Sequence, residues 1–207
     1  MEPKKTVKDG YNAITNQYLA SRTRTTADLQ LLDEFISMLP AKAHVLDAGC
    51  GAGVPVAKIL SEQFDVTGVD FSEKQIELAR KLVPNAIFIC QDMTVLEFPP
   101  LSFDGICSFY SIIHIPRKEH RMLLENFYQM LKPDGLALLC LGAEELEADF
   151  EEDFHGQRMY WSHFDADTYK KIVKEIGFHL LSSKIVPDET YGGNHLFVLA
   201  KKGNLPT

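Results

Sequence analysis

Val45-Leu46-Asp47-Ala48-Gly49-Cys50-Gly51-Ala52-Gly53-Val54-Pro55 runs from a short apolar stretch through three alternate glycines into a helical pattern. That is the sequence form of a strand, a tight turn and a helix start. The glycines lack a Cβ, so the turn can take unusual backbone angles and let a ligand approach its N–H groups closely. Pro55 suits the first turn of the following helix, where a missing N–H costs nothing.

Outward from this turn the pattern alternates. Apolar or β-branched runs at 44–48, 65–70, 86–90, 103–109 and 136–141 read as strands, and periodic stretches at 54–63, 73–82 and 118–131 read as helices. Ser72 stands as the N-cap of the second of these helices, with Gln75 placed as in a capping box. Lys132-Pro133-Asp134-Gly135 marks a turn before the fifth strand. Strands and helices alternating at this pace form a parallel sheet covered on both faces, with the ligand outside the strands' carboxyl ends. Asp47, Asp70, Asp92 and the segment 109–114 all fall at such ends.

Before the first strand, 6–21 places Val7, Tyr11, Ile14 and Tyr18 on one helical face, and 26–39 reads as a second helix capped by Thr26. These form an N-terminal helical cap over 1–39, ahead of a cofactor-binding core at 40–142. Residues 144–153 carry seven carboxylates and no base, the composition of a solvated loop. Met159-Tyr160-Trp161-Ser162-His163 follows without clear periodicity, so 143–165 reads as a lid-like insertion or pocket wall. Asp165 caps a helix over 166–176, and 179–186 with 195–201 read as a closing antiparallel hairpin within 166–207. The whole of 1–207 is expected to be one domain.

With 207 residues and 45% hydrophobic content, the chain can bury one sizeable core. Its net charge of −8 and lack of a basic block give no footprint for nucleic acid. No secretory signal or membrane span is visible, which points to the cytoplasm. Cys50, Cys90, Cys107 and Cys140 form no CxxC pair and read as reduced core residues; no metal site is expected.

The dinucleotide fingerprint needs glycine where Val54 stands, and no P-loop is present. Asp47 leads the turn with a carboxylate that repels pyrophosphate and favours an ammonium or sulfonium. Asp70 lies roughly 20 residues beyond the glycines, where an acid accepts from ribose hydroxyls. The ligand therefore carries positive charge and a ribose.

These residues resemble the class I S-adenosylmethionine-dependent methyltransferases. The stretch 45–53 resembles their glycine motif, Val69-Asp70-Phe71-Ser72 their ribose motif, Cys90-Gln91-Asp92-Met93 their adenine motif, Phe103-Asp104 their fourth motif, and 131–135 the turn before their fifth strand. Within the class the chain is most similar to the small-molecule branch that includes quinone-biosynthesis enzymes. The resemblance implies a Rossmann-like three-layer sandwich with a seven-stranded, mostly parallel sheet. It implies that Asp47 acts on the methionine ammonium, while Ala48, Gly49, Cys50 and Gly51 bring backbone close to the cofactor. It also implies that Asp70 holds the ribose, near Gln75, with Phe71 against the adenine. Gln91, Asp92 and Met93 then lie at the adenine amino group, Phe109 lines the methionine, and Tyr18 and Arg22 close over its carboxylate.

Methyl transfer from a sulfonium is an in-line displacement that needs alignment and exclusion of water. A hydroxyl acceptor needs a base, and His114 is the best-placed candidate, followed by His163 and His195. The acceptor pocket is expected from Tyr11, Tyr110, His114, Met159, Tyr160, Trp161, His163 and His195. Ser108-Phe109-Tyr110-Ser111 stands where amino-methyltransferases carry Asn or Asp, two prolines and an aromatic, which disfavours adenine or glutamine methylation. A small molecule with an O-, N- or C-nucleophile is the expected acceptor. A non-catalytic cofactor-binding module and a different group transfer at the same site stay open here, and oligomeric state is unreadable.

Overall fold

The structure is a computed structural model that describes residues 2–21, 26–188 and 191–203. Arg22 and the Thr26 side chain lie outside the described residues. β1 (His44–Ala48), β2 (Asp65–Asp70), β3 (Ile87–Cys90), β4 (Phe103–Ser108) and β5 (Leu131–Gly142) are parallel neighbours. β8 (Phe178–Pro187) and β9 (Asn194–Lys202) close the sheet as an antiparallel hairpin, in the order β3-β2-β1-β4-β5-β9-β8. This is the seven-stranded, mostly parallel sheet expected from the sequence. The strand order reverses between β1 and β4, and an open α/β sheet binds its ligand at such a point.

Successive side chains of a strand face opposite ways, so a strand buried on both faces must be apolar throughout. In β5, Ala137, Leu139 and Leu141 join a core beneath α5 (His120–Met130) and α6 (Ala166–Ile176). Leu138 and Cys140 join the opposite core, with α2 (Thr26–Met38), α3 (Val56–Leu60) and α4 (Glu73–Leu82). The expected Lys132–Gly135 turn lies inside β5, where the pairing with β4 jumps from Phe103↔Leu131 to Gly105↔Leu136. The helix expected over 54–63 contracts to α3, with Pro55 just ahead of it as N-cap. The helix expected from 118 begins at His120, after the 3-10 turn Arg117–Glu119.

The expected loop at 144–153 is instead β6 (Leu146–Phe154), paired antiparallel with β7 (Gln157–His163) in a separate ribbon. Leu146, Phe150 and Phe154 turn inward while the carboxylates between them are exposed. Register shifts between Leu146 and Asp149 and between Glu151 and Phe154 break the period-two alternation, which is why no strand shows in the sequence. His155 and Gly156, at φ 54° and 81°, form the two-residue turn that right-twisted strands prefer. Arg117 pairs with Glu145 and Glu147, and Arg158 with Glu152, so the bases that answer this acidic run come from outside it.

α1 (Pro3–Ser21) packs on the ribbon, and the two share a third core of Val7, Tyr11, Ile14, Phe154, Met159 and Tyr160. A Cβ on Gly10 would lie 2.8 Å from Met159 Cε, so glycine inside this helix permits its close approach to β7. All four cysteines are free thiols; Cys107 and Cys140 are core residues as expected, whereas Cys90 is exposed and Cys50 half-buried. No described helix is long and apolar enough to cross a membrane.

His120 and Tyr169 show how buried polar groups are satisfied in the first core. His120 Nε2–H donates to the Ile115 carbonyl (2.8 Å), leaving Nδ1 to accept from the Tyr169 hydroxyl (2.7 Å), whose oxygen accepts from Phe164 N–H (3.3 Å). Tyr169→Phe strands the fully buried His120 Nδ1 and leaves the half-buried Phe164 N–H without this acceptor. The expected cost is about 1–3 kcal/mol in chemical denaturation; an unchanged midpoint would show that this network contributes nothing.

Candidate active site

The glycine loop is pinned from below. Gly49 N–H and Cys50 N–H both donate to the Val69 carbonyl (2.7 and 3.0 Å), so the end of β1 docks on the end of β2. The Asp70 carboxylate then accepts from Gly51 N–H (2.9 Å) and Ser72 N–H (2.8 Å). Gly49 has φ 78°, and a Cβ there would lie 2.2 Å from Ser111 Cβ, so glycine is required on two counts. The Ser108 and Ser111 hydroxyls both reach the Ala48 carbonyl (2.8 and 3.1 Å), which gives Ser108-Phe109-Tyr110-Ser111 a bracing task at this loop.

Ser72 caps α4 by accepting from Gln75 N–H, as predicted, but the reciprocal half of the capping box is absent. The Gln75 amide, 2% exposed, turns into the cleft, and neither its Nε2 nor its Oε1 has a partner. A buried amide without partners costs free energy unless a polar ligand meets it.

The cleft gathers ten of the residues expected at the cofactor. Tyr18, Gly49, Gly51, Asp70 and Phe71 form one part of it, and Gln75, Gln91, Asp92, Met93 and Phe109 the rest. Asp47 and Cys50 line an adjoining recess, while Ala48 is buried and contributes only its carbonyl. Burial pushes the Asp70 carboxyl up to about 6 against its N–H donors. Asp92 is held by Thr94 N–H (2.9 Å) and by Lys4, whose ammonium also pairs with Glu119 (2.5 Å). Lys4, Val7, Ser111 and Ile115 complete the wall and were not singled out from sequence. Lys4 lies one helical turn before Val7 and Lys8, but the sequence pattern starts the helix at Thr6, and the structure extends it back to Pro3 and so brings Lys4 onto that face.

A second cavity of about 220 Å³ adjoins the cleft, and Tyr11, Tyr18, Tyr110 and His114 line both. His114 Nδ1–H donates to the Tyr160 carbonyl (2.8 Å), so Nε2 is the acceptor for the Tyr11 hydroxyl (2.9 Å). Burial holds this imidazole down to about 4, so it is neutral at physiological pH. Trp161, His163 and His195 also line the cavity, as expected. Met159 and Tyr160 do not: they are buried under α1, and Tyr160 serves the site through its backbone carbonyl. The sequence reading missed Asp28, Phe154, Asp188 and the residues 191–194, which reach this cavity from three distant segments. Among the described residues no cluster of histidine, cysteine or carboxylate side chains is placed to hold a metal.

Residues 45–135 match the family described as Methyltransferase domain. The chain is 30% identical over 184 residues to 27-O-demethylrifamycin SV methyltransferase of Amycolatopsis mediterranei, covering 82% of this chain and 67% of that protein. It is 33% identical over 165 residues to phosphoethanolamine N-methyltransferase 1 of Arabidopsis thaliana. That match covers 74% of this chain but 33% of the plant protein, so the chain spans about a third of that relative's length. The fold is shared with 1,6-didemethyltoxoflavin-N1-methyltransferase of Burkholderia thailandensis, solved with S-adenosylhomocysteine, at TM-score 0.68 and 20% identity, covering 96% and 91% of the two chains. The chain thus belongs to the class I S-adenosylmethionine-dependent methyltransferases. Its cleft fits the family's cofactor on grounds of its own: the unpartnered Gln75 amide, and a glycine loop in which a Cβ on Gly51 would meet nothing nearer than Gln75 Oε1 at 3.7 Å.

The buried histidines make stability depend on pH. Burial holds His114 and His120 at about 4, below their ordinary 6.5, so between those values the unfolded chain binds protons that the folded chain refuses. Stability is therefore complete above pH 6.5 and is lost as pH falls toward 4. Asp70, raised to about 6, acts in the opposite sense between about 6 and 3.8, and two groups outweigh one. The melting temperature is expected to fall steadily from pH 7 to pH 5; a rise over that range would contradict the buried, neutral histidines.

Proposed function

We propose that this chain transfers the methyl group of S-adenosylmethionine to a small-molecule acceptor held in the second cavity. The observation that carries the reading is the window of Tyr11, Tyr18, Tyr110 and His114, which belongs to both cavities and so separates donor from acceptor. Asp70 takes the ribose hydroxyls, with the Gln75 amide beside it, and Phe71 packs on the adenine. Asp92, fixed by Lys4 and Thr94, faces the adenine amino group with Met93 N–H and Gln91. Asp47 favours the methionine ammonium, and Tyr18 and Phe109 enclose the rest. The four free cysteines suit a reducing, cytoplasmic setting.

The cofactor supplies a methyl group on a positively charged sulfur. As the acceptor atom bonds to the methyl carbon, the carbon–sulfur bond breaks, sulfur keeps its electron pair and the acceptor gives up a proton. Tyr11 presents its phenol oxygen at the window, and its own proton already points at His114 Nε2. An acceptor hydroxyl can therefore pass its proton to Tyr11 while Tyr11 passes one to His114, with the Tyr160 carbonyl steadying the resulting imidazolium. An oxygen that has just gained a methyl group is far more acidic than this imidazole, so the transfer runs downhill. His163, its Nδ1–H given to the Glu144 carbonyl (2.6 Å), stands farther along the wall as the second candidate.

Labelled S-adenosylmethionine incubated with a panel of phenols, quinols, amines and carboxylates is expected to yield S-adenosylhomocysteine with at least one member. For a hydroxyl acceptor, His114→Asn should lower kcat by 10²-fold or more, on the order of general-base contributions, with cofactor affinity unchanged. Tight cofactor binding without turnover on any member would favour a binding module instead. Asp70→Ala should weaken S-adenosylhomocysteine binding in calorimetry by about 1–3 kcal/mol; equal affinity would remove Asp70 from the ribose.

A further inference from the structure

α1 carries two stripes. Val7, Tyr11 and Ile14 form the apolar one, buried against the ribbon. Lys4, Lys8 and Asn12 follow at intervals of four, the spacing that stacks side chains along one helix face. This polar stripe ties α1 to both ends of the cofactor cleft. Lys4 reaches Asp92 (3.1 Å), Thr94 Oγ1 (2.7 Å) and Glu119 on the side expected for adenine, and Lys8 pairs with Glu73 at the start of α4. Phe71, which lines the cleft, packs on the apolar core that α1 shares with the ribbon.

Asn12 reaches deeper into the architecture of the site. The first N–H groups of a helix have no partner within it. In α4, Gln75 N–H is met by the neighbouring Ser72 hydroxyl oxygen, whereas Lys74 N–H is met by Asn12 Oδ1 (3.1 Å), from another helix. The same Oδ1 accepts from the Ser72 hydroxyl (2.7 Å), and Asn12 Nδ2–H donates to Glu73 (3.0 Å). Ser72, fully buried, donates its own N–H to Asp70 Oδ1 (2.8 Å), and Asp70 Oδ2 accepts from Gly51 N–H (2.9 Å). Contacts thus run without a break from α1 through the first turn of α4 to the glycine loop. Gln75, whose amide enters the cleft, stands on that same turn, while neither Lys8 nor Asn12 is among the described residues that line the cleft.

On the reading that Asp70 and Gln75 meet the cofactor, we propose that Asn12 is a positioning residue for it. By holding Ser72 and the first turn of α4, Asn12 makes the docking of α1 and the binding of S-adenosylmethionine support each other. Coupling between two sites is reciprocal. Whatever docked α1 adds to cofactor affinity, bound cofactor returns as firmer docking of α1.

The test uses the full chain and S-adenosylhomocysteine, with calorimetry well below the melting temperature. Asn12→Ala is expected to bind it about fivefold or more weakly, the low end of couplings between sites, although Asn12 lies outside the cleft. Lys5→Ala, which removes the exposed pair with Asp9 on the same helix, is expected to leave the affinity as it was. Because the effect runs through the Ser72 hydroxyl, Asn12→Ala made on top of Ser72→Ala should cost less than it does alone. Hydrogen exchange across α1 is expected to slow when S-adenosylhomocysteine is added to the wild-type chain, and this slowing shrinks in the saturated Asn12→Ala chain. A purely structural Asn12 would lower the melting temperature and move neither the affinity nor the slowing. Unchanged affinity of Asn12→Ala, full additivity with Ser72→Ala, or an α1 whose exchange the ligand does not slow overturns the inference. Asp70→Ala, measured alongside, separates the two readings: if it binds as tightly as wild type, the ribose assignment falls and the inference with it. If Asp70→Ala weakens binding and Asn12→Ala does not, the inference alone is overturned.

Discussion

Two backbone N–H groups, those of Gly49 and Cys50, converge on the carbonyl of Val69, and a third, that of Gly51, ends on the Asp70 carboxylate. A buried carboxylate is stable only with donors close by, and here those donors are the loop itself and the first turn of α4. One acid therefore joins the end of β1, the end of β2 and the start of a helix at the point where the sheet reverses its order. The loop cannot shift without uncovering Asp70. Its pairing also keeps the Asp70 side chain in the cleft, beside the buried amide of Gln75.

The cap is built on a different principle. α1 and the β6–β7 ribbon bury a small apolar core of their own and meet the main body largely through polar ties. Lys4 reaches Asp92 and Glu119, and Asn12 accepts from Ser72 Oγ–H and Lys74 N–H at the start of α4. Tyr11 is part of that small core while its hydroxyl bonds His114 on the main body. The cap thus packs as one piece, and the same helix face closes the cofactor cleft and one wall of the second cavity.

The cofactor half of this design was legible in the sequence because its signals are local. A strand of five residues, alternate glycines and an acid at the next strand's end lie within one βαβ unit, and each has a backbone reason to be there. The Asp165 cap of α6 was legible for the same reason, and the helix ends at Gly177, which carries φ 114°. The ribbon was not, since two bulges erase its alternation and its carboxylates find partners in Arg117 and Arg158 instead of within their own run. Gln75 read as half of a capping box because spacing alone does not show where a side chain turns. The second cavity was legible only in part: Tyr11 and His114, 103 residues apart, meet solely through the tertiary fold, and Asp28 and Asp188 come from elements with no local mark of a site.

The bracing of the Ala48 carbonyl by Ser108 and Ser111 has a consequence for how such a protein diversifies. The Ser108 and Ser111 hydroxyls are committed to holding the glycine loop, whereas much of the second cavity's lining comes from the ribbon, the start of α2 and the described residues between β8 and β9. None of the hydrogen bonds that seat Asp70 involves those segments. The lining of the second cavity can therefore be rewritten in the ribbon and beside that hairpin without touching a hydrogen bond that seats the glycine loop.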